Sequence, residues 1–220
     1  MTFSIIHPSR GRSRQSFETI SKWILKAGAD DFEVLVGVEW EDYEEYVKVY
    51  FPNSGQSCNP PPDKIRDKIS ICPGHYGSAV AAINSVARMH AKGRIFIVVS
   101  DDTEPCVRWA SRIEKYTAGL TDFVLKTRDG IQPKMITMPI LDRAYYQRDG
   151  YIYHPEFSHC WADRYFTEIA HKRGRVITKN IMFRHLHYSA LKKKPDAQYQ
   201  RTDATFNEGK IIYKKLMAGL

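Results

Sequence analysis

Two neighbouring carboxylates follow an apolar run near the middle of the chain. Residues 95–99 are all apolar, and Asp101 and Asp102 follow them after Ser100. Such a run predicts a strand buried on both faces of a mostly parallel sheet. Ligands of these sheets bind at the carboxyl ends of the strands. Because Mg²⁺ and Mn²⁺ prefer carboxylate and phosphate oxygens, the pair predicts a site for a divalent cation and a phosphate-bearing ligand.

The same acids also have a purely structural interpretation. Pro105 suits the first turn of a helix, and an Asp or Thr just before it would accept hydrogen bonds from free N–H groups there. The residues themselves leave both interpretations open.

Basic residues near the start of the chain form a candidate anion site. Residues 3–7 predict a strand, and the polar loop that follows contains Pro8, Ser9, Arg10 and Arg12. The net charge of +8 favours an anionic partner, which includes nucleotides, nucleic acids and acidic polymers. For these arginines, and for the lysine run at 192–194, an ordinary solvated surface is the alternative.

Two further segments offer polar groups for a ligand. Residues 32–38 predict a second strand that ends in an acidic run beginning at Glu39, where a carboxylate can bind a ribose or base; a solvated acidic face is the alternative. A helix that opens with glycines, including Gly77, and runs to Gly93 allows close approach of phosphate to the backbone. Asn84 on this helix either reaches a ligand or is an exposed polar position.

Candidate residues for proton transfer and metal binding lie in the last third of the chain. Residues 162–172 predict a helix, and Asp163 at its start is either a cap or a catalytic base. Residues 181–188 predict a strand that places His185 and His187 on one face. Imidazole binds Mn²⁺ well, and ordinary polar positions are the alternative for both histidines.

The alternation of strands and helices predicts a doubly wound α/β layer. Additional strands are predicted near 122–126 and 134–138, a short helix over 142–149, and a turn-rich loop over 51–62. No apolar run approaches the ~18 residues that cross a bilayer, and the first residues lack a signal sequence, so we expect a cytoplasmic protein. Four widely spaced cysteines predict free thiols.

The order of these motifs resembles the family 2 nucleotide-sugar glycosyltransferases, which have the GT-A fold. The resemblance covers roughly residues 2–190. It rests on the Pro-containing loop of residues 5–12, the helix segment 81–84, and Ser100-Asp101-Asp102 in place of an Asp-x-Asp motif. Trp161-Ala-Asp163 occupies the place where the family usually has Glu-Asp. Glu39 or Asp42 must stand in for the usual base-binding aspartate.

The resemblance implies a single GT-A domain over 1–190, with a Rossmann-like, mostly parallel central sheet flanked by helices. A donor half covers about 1–110 and a smaller acceptor half about 111–190, followed by an extension at 191–220. That extension is predicted to contain an amphipathic helix that either closes over the site or supports a homodimer.

The resemblance also implies inverting, metal-dependent sugar transfer from a nucleotide sugar such as a UDP-sugar. Asp163 would be the base, Asp102 with His185 or His187 would hold Mn²⁺ or Mg²⁺, and Asp101 would orient the ribose or metal waters. The donor would contact Pro8, Ser9, Arg10, Arg12, Glu39, Gly77, Asn84 and Asp101. DNA with hydroxymethylated pyrimidines and an acidic glycan or lipid-linked saccharide are the candidate acceptors. A non-catalytic nucleic-acid-binding protein is the main alternative, and a metal-dependent nuclease using Asp101, Asp102 and His187 ranks last.

Overall fold

A computed structural model describes residues 1–52, 63–188, 194 and 196–219 of the chain. The strands are β1 (Phe3–Pro8), β2 (Phe32–Glu39), β3 (Ile69–Gly74), β4 (Ile95–Val98), β5 (Thr103–Glu104), β6 (Val124–Arg128), β7 (Ile140–Asp142), β8 (Val176–Met182) and β9 (Arg184–His185). The helices are α1 (Ser13–Leu25), α2 (Tyr43–Tyr50), α3 (Asp63–Arg66), α4 (Ala79–His90), α5 (Trp109–Thr117), α6 (Arg143–Gln147), α7 (Ala162–Lys172), α8 (Ala197–Ala204) and α9 (Phe206–Ala218).

Seven strands form one central sheet in the order β3-β2-β1-β4-β7-β6-β8. Strands β3, β2, β1 and β4 are mutually parallel, β7 runs antiparallel to β4 and β6, and β8 is parallel to β6. A separate pair, β5 and β9, is antiparallel. The predicted α/β class with a mostly parallel sheet is therefore confirmed.

Apolar side chains cover both faces of the sheet because its central strands alternate between two cores. On β1, Phe3 and Ile5 face a core that contains Trp23 and Trp109, whereas Ile6 faces a core that contains Phe96. This two-sided burial is what residues 95–99 predicted, since all four residues of β4 are buried.

Two tryptophans tie the helices to the segment that follows β4. The ring of Trp23 stacks on Phe183 with centroids 5.2 Å apart, and its Nε1 donates to the carbonyl of Thr103 at 3.4 Å. Trp109 Nε1 donates to the carbonyl of Trp23 at 2.7 Å. The segment that follows β4 is thus held by the buried side chains of Trp23 and Trp109.

Several predicted boundaries are confirmed and others are wrong. Helix α7 matches its prediction over 162–172, but residues 134–138 are irregular and the strand lies at Ile140–Asp142. Gly74 ends a strand instead of opening a helix, which begins at Ala79 after the cap residue Ser78. The strand predicted over 181–188 is interrupted at Phe183. The predicted loop at 51–62 falls almost wholly on residues 53–62, outside the described residues.

The acidic run after β2 is also not a simple loop. Residues Trp40–Asp42 form a 3-10 turn, and α2 follows at once. Within the described part of the chain, none of the helices is long and apolar enough to cross a membrane.

Candidate active site

Asp101 and Asp102 lie in the turn between β4 and β5, at the carboxyl end of a central parallel strand. The first helix after them, α5, begins at Trp109 behind Arg108, so neither acid nor Pro105 belongs to a helix start. The helix-cap interpretation is therefore wrong, and the position at a strand end is confirmed.

Asp102 is the centre of a cluster of hydrogen bonds. Its Oδ1 accepts from Ser100 Oγ at 2.6 Å, while its Oδ2 contacts His185 Nε2 at 3.1 Å and accepts from Tyr199 OH at 2.6 Å. His185 reaches this point because β9 pairs with β5, opposite Thr103. The Asp102 carbonyl also accepts from Leu186 N at 2.7 Å, which fixes the two segments together.

These contacts determine the charges of Asp102 and His185. Burial alone would raise the pKa of Asp102, but the hydrogen bond and charge of His185, with those of Ser100 and Tyr199, lower it well below its usual range. Burial opposes a charged His185, yet the bond and charge of Asp102 raise its pKa. Both shifts favour the ion-paired state, in which the two groups lie 3.1 Å apart.

His187 lies beside this pair in a stack of rings. Its ring centroid is 5.4 Å from that of His185, 4.4 Å from Tyr188 and 5.1 Å from Tyr199. Burial and the charge of His185 lower the pKa of His187. Of the two histidines, His185 is thus the one whose ring nitrogen lies against Asp102.

Asp101 points the other way, toward the loop after β1. Its Oδ1 accepts from Ser9 Oγ at 2.9 Å and lies 3.1 Å from Nε2 of the buried His7. The opposite nitrogen of His7, Nδ1, lies 2.8 Å from the carbonyl of Val99 and carries the proton, because a carbonyl only accepts. The backbone carbonyl of Asp101 accepts from Thr19 Oγ1 at 2.6 Å. Asp101 therefore holds the loop in place, with its own carboxylate largely buried.

Arg12 of this loop carries an unmet hydrogen-bonding group. Its Nη1 is 3.8 Å from Asp101 Oδ2, its Nη2 donates to Asp196, and its guanidinium lies 4.6 Å from the Tyr199 ring centroid. Its Nε is buried and meets no acceptor within the described part of the chain. A buried cationic N–H without a partner fits an anionic oxygen such as that of a phosphate. The side chain of Arg10 is exposed to solvent.

Glu39 and Gly77 contact each other at the carboxyl end of β2. The Glu39 carboxylate accepts from Gly77 N at 2.8 Å and from Tyr76 N at 3.1 Å. Gly77 has φ +71, a conformation that side-chain-bearing residues rarely adopt. Both predicted ligand-binding residues thus build one turn at the carboxyl end of β2. Pro8, at the end of β1, pairs with Gly37 in the neighbouring strand.

Asn84 does not point its amide at a ligand. Its Oδ1 accepts from the backbone N–H groups of Ile152 and Tyr153 at 3.0 and 3.1 Å, and its Nδ2 donates to the Tyr153 carbonyl at 2.6 Å. The amide therefore joins α4 to residues 152 and 153, and its contact with a donor stays a prediction.

Asp163 lies in the first turn of α7, where its Oδ1 accepts from Arg164 N at 2.8 Å. Burial raises the pKa of Asp163, although the backbone hydrogen bonds and the charge of His185 oppose the shift. The charges of Asp163 and His185 influence one another, so the acid lies within electrostatic range of the Asp102–His185 pair. His159 also faces this region, and burial lowers its pKa against the charge of Asp102.

Sequence reasoning missed the two tail residues at the site, Asp196 and Tyr199. Tyr199 belongs to α8, and Asp196 caps this helix by accepting from Tyr199 N at 3.0 Å. The signal in the sequence was an Asp three residues before an aromatic residue at a helix start. The extension does contain the predicted helix, and α8 lies against the site.

The described residues contain no group of three or more His, Cys, Asp or Glu side chains that could hold a metal ion. Asp102 and His185 nevertheless supply one carboxylate and one imidazole at adjacent atoms. This donor set suits Mn²⁺, whose other positions are commonly filled by phosphate oxygens and water. The residues therefore fit a cation that a phosphate ligand helps to bind.

No protein-family profile and no curated protein sequence matches this chain. Solved structures do resemble it. S. aureus TarS 1-349 in complex with UDP-GlcNAc has a TM-score of 0.63 at 17% identity, over 90% of this chain and 60% of that one. The mannosyltransferase PcManGT from Pyrobaculum calidifontis, in complex with GDP-Man and Mn²⁺, has a TM-score of 0.63 at 14% identity, over 84% and 56%. A further S. aureus TarS structure is covered over 37% of its length.

These similarities show that the chain has the GT-A fold, as its motifs implied. The chain spans between 37% and 60% of the length of the three neighbours described here.

Proposed function

We propose that this chain is a metal-dependent, inverting glycosyltransferase that moves a sugar from a nucleotide-diphosphate donor to a hydroxyl group. One observation carries the proposal: the Asp102–His185 pair and Arg12, with its unmet N–H, both lie against Tyr199, and the part-buried Asp163 is within electrostatic range of His185. The bound nucleotide sugars of the structural neighbours, and Mn²⁺ in one of them, support it.

The donor's diphosphate is assigned to the loop after β1. Arg12 would offer its buried Nε–H and guanidinium charge to phosphate oxygens, and Arg10 adds a second, exposed charge. Asp101 and Ser9 keep this loop in register with β4. The nucleoside is assigned to the turn that Glu39 and Gly77 build. Because the Glu39 carboxylate already binds Gly77 N, this turn would offer the nucleoside its backbone groups.

Asp102 and His185 would hold the divalent cation. When bound, the cation supplies positive charge that stabilises the departing diphosphate. The ion pair between these two residues keeps Asp102 ionised before any ligand arrives.

Asp163 is assigned the proton transfer. It would take the proton of the acceptor hydroxyl while that oxygen forms a bond to the anomeric carbon, and the carbon–oxygen bond to the diphosphate breaks on the opposite face. The raised pKa makes Asp163 a stronger base than an exposed carboxylate. Asp163 lies in the first turn of α7, in the segment that we assign to the acceptor.

We extend the proposal to an acceptor that carries negative charge. The net charge of +8 favours an acidic partner, and DNA with hydroxymethylated bases or an acidic glycan meets this condition. Binding to DNA should weaken steeply with salt, whereas binding to a neutral saccharide should not.

The test compares Asp163→Asn with the unaltered protein. Sugar transfer should fall by about 10²–10⁴-fold in the variant, since general-base catalysis contributes about that much, while affinity for a UDP- or GDP-sugar with Mn²⁺ stays within about twofold. Glu156→Gln, which changes a surface acid paired with Lys215, is the matched control and should keep full turnover. Comparable turnover in Asp163→Asn would refute the assignment of the base. Absence of metal-dependent nucleotide-sugar binding would refute the function.

A further inference from the structure

Helix α8 and its cap residue cover Asp102 and Arg12, which the proposed function assigns to the cation and the donor. Its residue Tyr199 donates to Asp102 Oδ2, and the capping residue Asp196 accepts from Arg12 Nη2. The ring of Tyr199 also lies over the guanidinium of Arg12, at 4.6 Å. The tail therefore contacts both charged groups that the proposed function assigns to the diphosphate and its cation.

The chemistry of each contact matches the ligand that it would exclude. Asp196 offers carboxylate oxygens to Arg12, as a phosphate would. Tyr199 offers a hydroxyl proton to Asp102, as a cation would offer positive charge. Because Oδ2 of Asp102 already contacts His185 Nε2 and Tyr199 OH, and Oδ1 accepts from Ser100, both carboxylate oxygens are occupied.

We propose that α8 is an intramolecular competitor of the donor: Asp196 occupies the phosphate position on Arg12, and the Tyr199 hydroxyl occupies the cation position on Asp102. The inference rests on the proposed function. In the resting state α8 covers Arg12 and Asp102. Donor and cation bind only after α8 has moved aside.

The packing of α8 is consistent with such a movement. All of its residues are described, and none is buried. Its other contacts are the Tyr199 ring against His187 and Tyr188, and hydrogen bonds that include Tyr188 OH to Asp203 at 2.8 Å and Cys160 Sγ to the Thr202 carbonyl at 3.3 Å. Displacing α8 therefore exposes little apolar surface. Helix α9 is anchored separately, with Gly209 packed tightly against Cys160.

The competition has a measurable consequence for affinity. When only a fraction of the molecules has an open site, the observed dissociation constant is the intrinsic constant divided by that fraction. Loss of one hydrogen bond to a charged group shifts such an equilibrium by roughly tenfold. If the covered state predominates, removing the Tyr199 hydroxyl should tighten donor binding by up to about tenfold.

The experiment uses isothermal titration of UDP and of GDP, each with Mn²⁺, into the full chain. Tyr199→Phe keeps the ring that stacks on Arg12 and removes the hydroxyl, and Asp196→Asn keeps a good helix cap and removes the charge. Each should bind one of the nucleotides about tenfold more tightly than the unaltered chain. Glu208→Gln makes the same change in net charge at an exposed position of α9, and its affinity should not change.

Hydrogen exchange provides a second readout that does not depend on turnover. Adding the nucleotide with Mn²⁺ should speed exchange of the α8 amides. Unchanged or weaker binding by both variants, or slower exchange in α8, would overturn the competition and leave the proposed function standing. If no nucleotide binds to the unaltered chain or to the variants, both proposals fail.

Discussion

Replacing Asn84 tests how α4 is joined to residues 152 and 153. Its side chain makes three hydrogen bonds to the backbone of Ile152 and Tyr153, which are 2% and 7% exposed. In Asn84→Ala, two N–H groups and one carbonyl lose their partners in a part-buried place. At the lower end of about 1–3 kcal/mol for each such group, the free energy of unfolding should fall by about 3 kcal/mol.

Helix propensity does not offset this loss. Alanine is favoured over asparagine in a helix by at most about 0.7 kcal/mol. For a chain of this size, each kcal/mol changes the melting temperature by about 2–4 °C, so we expect a decrease of about 5–9 °C. Ser85→Ala, the next position on α4, is the control and should leave the melting temperature nearly unchanged.

Thermal and urea denaturation measure the stability, and nucleotide titration measures the site. Below its melting temperature, Asn84→Ala should bind UDP or GDP with Mn²⁺ as the unaltered chain does. An unchanged melting temperature together with lost nucleotide affinity would refute the structural role and restore the donor contact expected from the sequence.

Two further predictions follow from the packing and the charges. A Cβ at Gly209 would lie 2.3 Å from the Cys160 carbonyl oxygen, so Gly209→Ala should lower the free energy of unfolding by about 1–3 kcal/mol; an unchanged denaturation curve would contradict that contact. The raised pKa of His185 contributes stability that is complete below its ordinary pKa of about 6.5 and is lost as pH rises through the folded-state value. Urea denaturation should show stability falling as pH rises above about 6.5, and His185→Gln should flatten this dependence; an equal slope in the variant would contradict the assignment.

Local patterns were sufficient where one signal dominated. The apolar run before Asp101 predicted a central strand, and helical spacing with Gly174 as a stop predicted α7. The β5–β9 pairing was not predictable, because each strand has two residues and is held by partners about eighty positions away in sequence.

The failures concern residues whose bonds are made over long distances. Glu39 and Asn84 have the types expected of ligand contacts, yet both bind backbone groups that only the fold brings near. Tyr199 and Asp196 lie outside the segment that carries the family resemblance, so no motif marked them. Side-chain chemistry was readable from the sequence, but the partner of each side chain was not.

The small β5–β9 sheet has a consequence for how the protein folds. Asp102 follows β4 in the first half of the chain, whereas its partner His185 lies on β9, after β8. Closing a loop of this length costs entropy that is recovered only when the distant contacts form. During synthesis, the four parallel strands emerge long before His185 does. The Asp102–His185 pair should therefore assemble in the last stage of folding, and a pulse-labelled nascent chain ending before β9 would contain the four parallel strands without this pair.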